Sequence, residues 1–172
     1  EERDESILPG SSPARPCIQS PGYLVQIGLP EAGDNATMLG AGVRLGQYLI
    51  TARHLFEKST MAGYRSPYVT LIKNGFKQTC RLPEPIACPV PPGTDTSCSW
   101  LDLVAYDLGD TPFSVIKAKS MRMTDLQVYA DSTLEVYGQP GDKLLVSTGA
   151  VIPNDALEAT KGVFKHTANT VS

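Results

Sequence analysis

Apolar and polar positions alternate in short runs along most of the chain. Tyr23-Leu-Val-Gln-Ile-Gly-Leu29, Gln47-Tyr-Leu-Ile-Thr51, Tyr68-Val-Thr-Leu-Ile72, Phe76 to Leu82 and Leu101 to Leu108 carry this period of two, and each is bounded by Gly, Pro, Asn or Asp. Such a period sends successive side chains to opposite faces of a strand, so these stretches predict five or six strands in the first part of the chain. Leu126 to Ala130, Thr133 to Gly138, Lys143 to Ile152 and Val163 to Ala168 predict more in the second part. Helical periodicity is weak, and only His54 to Met61 suits a turn or two. The expectation is an all-β protein, a sandwich or a barrel, between which periodicity alone does not choose.

Proline divides this pattern. Residues 1 to 22 hold Pro9, Pro13, Pro16 and Pro21 with Gly10, Ser11 and Ser12. Proline has no N–H to give a ladder, so the stretch reads as an N-terminal arm or linker that stays out of any sheet. Pro83 to Ser99 contains five prolines and is expected to be a long irregular loop. Residues 109–121 look like a connection between the two sets of strands.

Composition narrows the function classes. The chain has 172 residues, 41% of them hydrophobic and 19% charged, enough for one sizeable core or two small ones. Its net charge of −3 and the absence of a basic run argue against nucleic-acid binding through this domain. No apolar stretch approaches the roughly 20 residues that cross a bilayer as a helix. Cys17, Cys80, Cys88 and Cys98 form no Cys-x-x-Cys pair, and His54 and His166 lie far apart, so no metal is expected. An oxidising compartment would let Cys80 and Cys88 bridge. The polar start, Glu1-Glu2-Arg3-Asp4-Glu5, has neither an initiator Met nor a signal-peptide pattern and reads as excised from a longer chain.

Two short segments suggest chemistry. Gln47-Tyr-Leu-Ile-Thr-Ala-Arg-His-Leu-Phe56 is an apolar strand that runs into a histidine. Ser99-Trp-Leu-Asp-Leu-Val-Ala-Tyr106 places Asp102 in an otherwise apolar stretch, a costly position unless a partner meets the carboxylate. The bland readings are a surface or capping histidine and a loop-edge Asp capping Ser99. Asp107, beside Gly109, is a competing acid that reads as a strand-end or turn residue. The Thr-Ala-x-His stretch at 51–54, followed by Asp102 after an interval long enough for three strands and their loops, resembles the chymotrypsin-like serine proteases. In that family the histidine is general base and acid, and the aspartate fixes its tautomer and stabilises the imidazolium.

A third segment, Lys161-Gly-Val-Phe-Lys-His-Thr-Ala-Asn-Thr-Val-Ser172, resembles the run ahead of the nucleophile loop in plant-virus proteases of the sobemovirus and polerovirus type. Gly138-Gln-Pro-Gly141 and Ser147-Thr-Gly149 resemble the turn and strand before that run, and the likeness spans roughly residues 23 to 172. It implies a chymotrypsin-like double β-barrel, with a first barrel over 23–108, a connection over 109–121 and a second barrel over 122–172 that is incomplete at its C-terminal end. It further implies that Thr170 lines the primary specificity pocket and favours Glu before the cut, with His166 and Asn169 beside it. Gly-x-Ser-Gly occurs nowhere in the chain, so the serine nucleophile is expected just beyond Ser172.

The resemblance therefore implies a viral serine endopeptidase that processes a polyprotein in the host-cell cytoplasm and needs no cofactor. A membrane anchor or other polyprotein domains are the flanking segments it allows. The missing nucleophile loop supports a different class, a catalytically inactive protease-fold binding module. A structural β-sandwich would instead leave His54 and Asp102 far apart.

Overall fold

The computed structural model describes residues 13–16, 19–30, 36–56, 67–87, 102–123, 132–138, 144–152 and 165–168. Their strands are β1 (Arg15–Pro16), β2 (Leu24–Pro30), β3 (Ala36–Leu45), β4 (Tyr48–Thr51), β5 (Tyr68–Lys73), β6 (Phe76–Arg81), β7 (Ile86–Ala87), β8 (Val104–Asp107), β9 (Thr133–Gly138), β10 (Leu145–Ile152) and β11 (Lys165–His166). A single short helix, α1 (Thr111–Val115), is described besides the helical start at 54–56. The chain divides into two compact units. The first comprises Ser20–Pro89 and Asp102–Met123, and the second Glu1–Gln19, Val90–Leu101 and Thr124–Ser172.

In the first unit all pairings are antiparallel and the strand order is β6-β5-β2-β3-β4-β8-β7. β6 and β7 stand at opposite ends of that order, yet only residues 82–85 separate them in the chain. Five peptide steps reach about 17 Å at most. The edges of a flat sheet of this many strands would stand about 29 Å apart. The sheet therefore curls into a barrel, and Phe76–Ala87 acts as one bent strand that pairs with β5 at its start and with β8 at its end. Pro83 and Pro85 sit in the bend, where no ladder N–H is required. The expected long loop thus yields two of its residues, Ile86 and Ala87, to the closure of the barrel.

The barrel interior follows the period of two. Val25 and Ile27 of β2, Leu49 of β4, and Val69 and Leu71 of β5 are fully buried, together with Phe113 and Ile116. Each large side chain buried in this way stabilises the fold by about 1.5–3 kcal/mol relative to exposure. The β5–β6 turn is Asn74-Gly75, both at positive φ (53° and 78°), the left-handed pair that a two-residue hairpin turn needs.

β3 had no counterpart in the hydropathy pattern, whereas the connection contributes directly to the core. Within 109–121, α1 carries Pro112 in its first turn and brings Phe113 into the barrel interior, with Ile116 just beyond its end. Arg44 of β3 pins this segment. Its Nη1 donates to the Ala118 carbonyl at 2.7 Å, its Nη2 to Asp110 Oδ1 at 3.3 Å, and its guanidinium lies 5.1 Å from the Phe113 ring centroid. The backbone N–H of Met121 donates in turn to the Arg44 carbonyl at 2.7 Å.

In the second unit β10 pairs with β9, β1 and β11. The arm expected to stay out of any sheet therefore supplies β1, with Arg15 opposite Val146 and Pro16 opposite Leu145. Two residues suffice for a pairing that includes a proline, because such a short strand has few ladder N–H groups to lose. Gly149 of β10 lies so close to Ala168 that a Cβ there would clash with the Ala168 backbone. The strand expected over 126–130 lies outside the described residues.

Candidate active site

The register of β4 against β8 builds the site. Tyr48, Leu49, Ile50 and Thr51 face Asp107, Tyr106, Ala105 and Val104 in turn. Continued past Thr51, that register brings Arg53 opposite Asp102, and the Arg53 N–H does donate to the Asp102 carbonyl at 3.2 Å. His54, one residue on, then meets the Asp102 side chain twice: its backbone N–H donates to Oδ1 at 2.9 Å, and its ring Nδ1 hydrogen-bonds Oδ2. Beyond this point the chain turns helical at 54–56, with the Leu55 N–H donating to the Ala52 carbonyl at 3.2 Å.

The electrostatics assign the proton. Burial alone pushes the Asp102 carboxyl up, but the hydrogen bonds from the His54 ring and backbone, with the charges of His54 and Arg53, hold it below its ordinary value. An ionised carboxylate only accepts, so Nδ1 is the donor. In the neutral ring Nε2 then carries the free lone pair. The side chains of His54 and Asp102 are 49% and 43% exposed, so the pair is open to an incoming molecule. Such an arrangement can take a proton from a hydroxyl or a water and hold the resulting imidazolium against the carboxylate.

Asp107 behaves as a strand-end residue. Its Oδ2 accepts from Gln47 Nε2 at 2.8 Å and its Oδ1 from the Gly109 N–H at 3.2 Å. His166 lies on β11 opposite Val151, in the second unit. Its Nδ1 is buried and has no hydrogen-bond partner among the described residues. Thr167 locks the next position: its N–H donates to the Ala150 carbonyl at 2.9 Å, and its Oγ1 accepts from the Ala150 N–H at 2.9 Å. Asn169, Thr170 and Ser172 lie outside the described residues, as does Cys88, while Cys80 is a free thiol. No group of three or more His, Cys, Asp or Glu among the described residues could hold a metal ion. Sequence reasoning missed the part played by Arg53. It contributes a positive charge near the carboxylate and a backbone N–H to the Asp102 carbonyl, and the latter is a contact that no residue pattern encodes.

The fold is that of the chymotrypsin-like serine proteases. No protein-family model matches the chain, and no curated protein matches it in sequence. Among solved structures, the serine protease domain of the Sesbania mosaic virus polyprotein superposes with a TM-score of 0.51 at 20% identity, covering 82% of this chain and 68% of that one. A structure concerned with the aromatic interactions that drive coupled folding and binding of the intrinsically disordered Sesbania mosaic virus VPg protein gives 0.57 at 21% identity, over 83% of this chain and 68% of that one. Neuropsin, a serine protease expressed in the limbic system of mouse brain, gives 0.55 at 14% identity, over 85% and 67%. At these identities the likeness is one of fold.

Proposed function

We propose that this chain is the body of a viral serine endopeptidase that processes a polyprotein in the host-cell cytoplasm. The observation that carries the reading is the His54–Asp102 pair, built by the β4–β8 register and open to solvent. His54 Nε2 takes the proton of a serine hydroxyl supplied from beyond Ser172 as the oxygen attacks the scissile carbonyl, and then gives it to the leaving amine. Water repeats the cycle and releases the acyl group, again with His54 as base. Asp102 keeps Nδ1 protonated and stabilises the imidazolium. Thr170, His166 and Asn169 form the acyl-side pocket in this reading, with a preference for Glu.

The absence of Gly-x-Ser-Gly from the 172 residues favours a second reading, a protease-fold module that binds without cutting. A solved structure of the same fold that concerns the coupled folding and binding of VPg suits the binding part of that reading.

One experiment separates the two. A polypeptide continuing about 60 residues past Ser172, enough to complete a domain of ordinary size, is expected to cleave a polyprotein-junction peptide with Glu before the cut. His54→Ala in the same polypeptide is expected to lose that cleavage. No cleavage by the extended polypeptide moves the reading to the binding module, and equal cleavage with Gln, Ala or Glu before the cut removes the Glu preference.

A further inference from the structure

The hydrogen bonds to Asp102 hold the His54 ring at one end, but a half-exposed ring on a short helical turn needs a second support if its direction is to be constant. Two contacts supply it. The position that a Cβ of Gly40 would occupy lies 2.6 Å from Leu55 Cδ1, so the Leu55 side chain lies against the bare backbone of β3. On the neighbouring residue, the Phe56 ring meets Tyr106 edge to face, with centroids 5.2 Å apart and planes at 73°. Leu55 and Phe56 both pack against the barrel core, and Tyr106 is only 6% exposed. Tyr106 stands on β8, four residues past Asp102, so one length of chain carries the carboxylate that grips the ring and the aromatic face that grips its turn.

We infer that Gly40, Leu55, Phe56 and Tyr106 form a clamp that sets the direction of the His54 ring on Asp102, with Gly40 and Tyr106 as positioning residues. The clamp rests on the protease reading for its catalytic meaning, though its geometry stands apart from activity. Any side chain at residue 40 must displace the Leu55 side chain, and a branched one presses through it on the turn that bears the imidazole. Loss of the ring at residue 56 frees the same turn on its other side. The energetic weight of an edge-to-face pair is modest, about 0.5–1.5 kcal/mol beyond its buried area. The clamp is therefore expected to govern orientation more than stability.

Only two histidines exist in the chain, His54 and His166, and they belong to different units, so each is the other's control. The ring-nitrogen chemical shifts of both are measured by nuclear magnetic resonance, through couplings to the carbon-bound ring protons, on the full chain and its variants. The original chain is expected to show His54 as a single tautomer with the proton on Nδ1. Gly40→Val and, independently, Phe56→Leu are expected to turn His54 into a mixture of tautomers while His166 stays unchanged. Adding Leu55→Ala to Gly40→Val is expected to restore the single tautomer by making room for the new side chain. Val69→Ala, a core truncation on β5, is expected to lower the melting temperature as much or more and leave His54 as it was.

A single His54 tautomer that persists in both Gly40→Val and Phe56→Leu overturns the clamp, as does an equal His54 change in Val69→Ala. A tautomer mixture in the original chain overturns the His54–Asp102 pair and the protease reading with it. A clamp response in a chain whose extended form cleaves nothing upholds the clamp and removes only the activity.

Discussion

Asp102 accepts two hydrogen bonds from His54 on its carboxylate and one from Arg53 on its carbonyl, so changing the side chain alone leaves the backbone bridge in place. In the extended polypeptide, Asp102→Asn is expected to lower kcat by roughly ten-thousand-fold, because an amide stabilises the wrong imidazole tautomer. Steady-state kinetics read this directly, and a loss under tenfold would remove Asp102 from the mechanism. The same residue has a pH signature. Its carboxyl is held below its ordinary value in the folded chain, so the folded state prefers the ionised form. The associated stability is fully present above the unfolded value of about 4 and is lost as the pH falls through the lower folded value. The melting temperatures of the original chain and Asp102→Asn should therefore differ most near neutrality and converge in acid. Because the carboxylate is partly exposed, the difference should also shrink with salt. Cys80 is the opposite case. Burial pushes its thiol up to about 11, so it stays protonated at neutral pH and attacks disulfides slowly.

At the scale of elements, α1 shows where local pattern failed. Its five residues are too few for a helical period to register, and the segment looked like a connection. Yet Phe113 is fully buried, and Arg44 ties the segment to β3 through two hydrogen bonds and the ring. Phe113→Ala is expected to cost about 3–5 kcal/mol, measured by chemical denaturation of the full chain, whereas a true surface connection would lose under about 1 kcal/mol. β3 was invisible for another reason. Ala36, Gly40, Ala41 and Gly42 give the stretch little β propensity, and at Gly40 and Gly42 Leu55 and the neighbouring strands crowd the backbone. β2, β4 and β5, by contrast, were legible nearly to their ends, because Val, Ile, Leu, Tyr and Thr crowd them between clear turn residues, and β6 was legible from its alternation after the Asn74-Gly75 turn. The His54 and Asp102 segments stood out on the same grounds, each being a polar group attached to an apolar strand.

For the molecule as a whole, the fully buried apolar side chains among the described residues, Val25, Ile27, Leu49, Val69, Leu71, Phe113 and Ile116, all belong to the first unit. Native-state hydrogen exchange is therefore expected to show deeper protection in β2, β4 and β5 than in β9, β10 and β11, since protection follows the local density of buried apolar contacts. Equal protection throughout would mean that the two units open together. The sequence by itself determined that the chain is built of strands, where most of the first unit's strands run, and that His54 and Asp102 were worth joining. Those are local properties, carried by alternation and by a polar residue's cost in apolar surroundings. Only the tertiary structure decided that β6 and β7 are one bent strand closing a barrel, and that the arm reaches β10. It alone also placed Arg53 opposite Asp102 and Leu55 against Gly40. Register and closure depend on contacts between residues far apart in the chain, and alternation of period two fits every strand partner equally well until the backbone is in place.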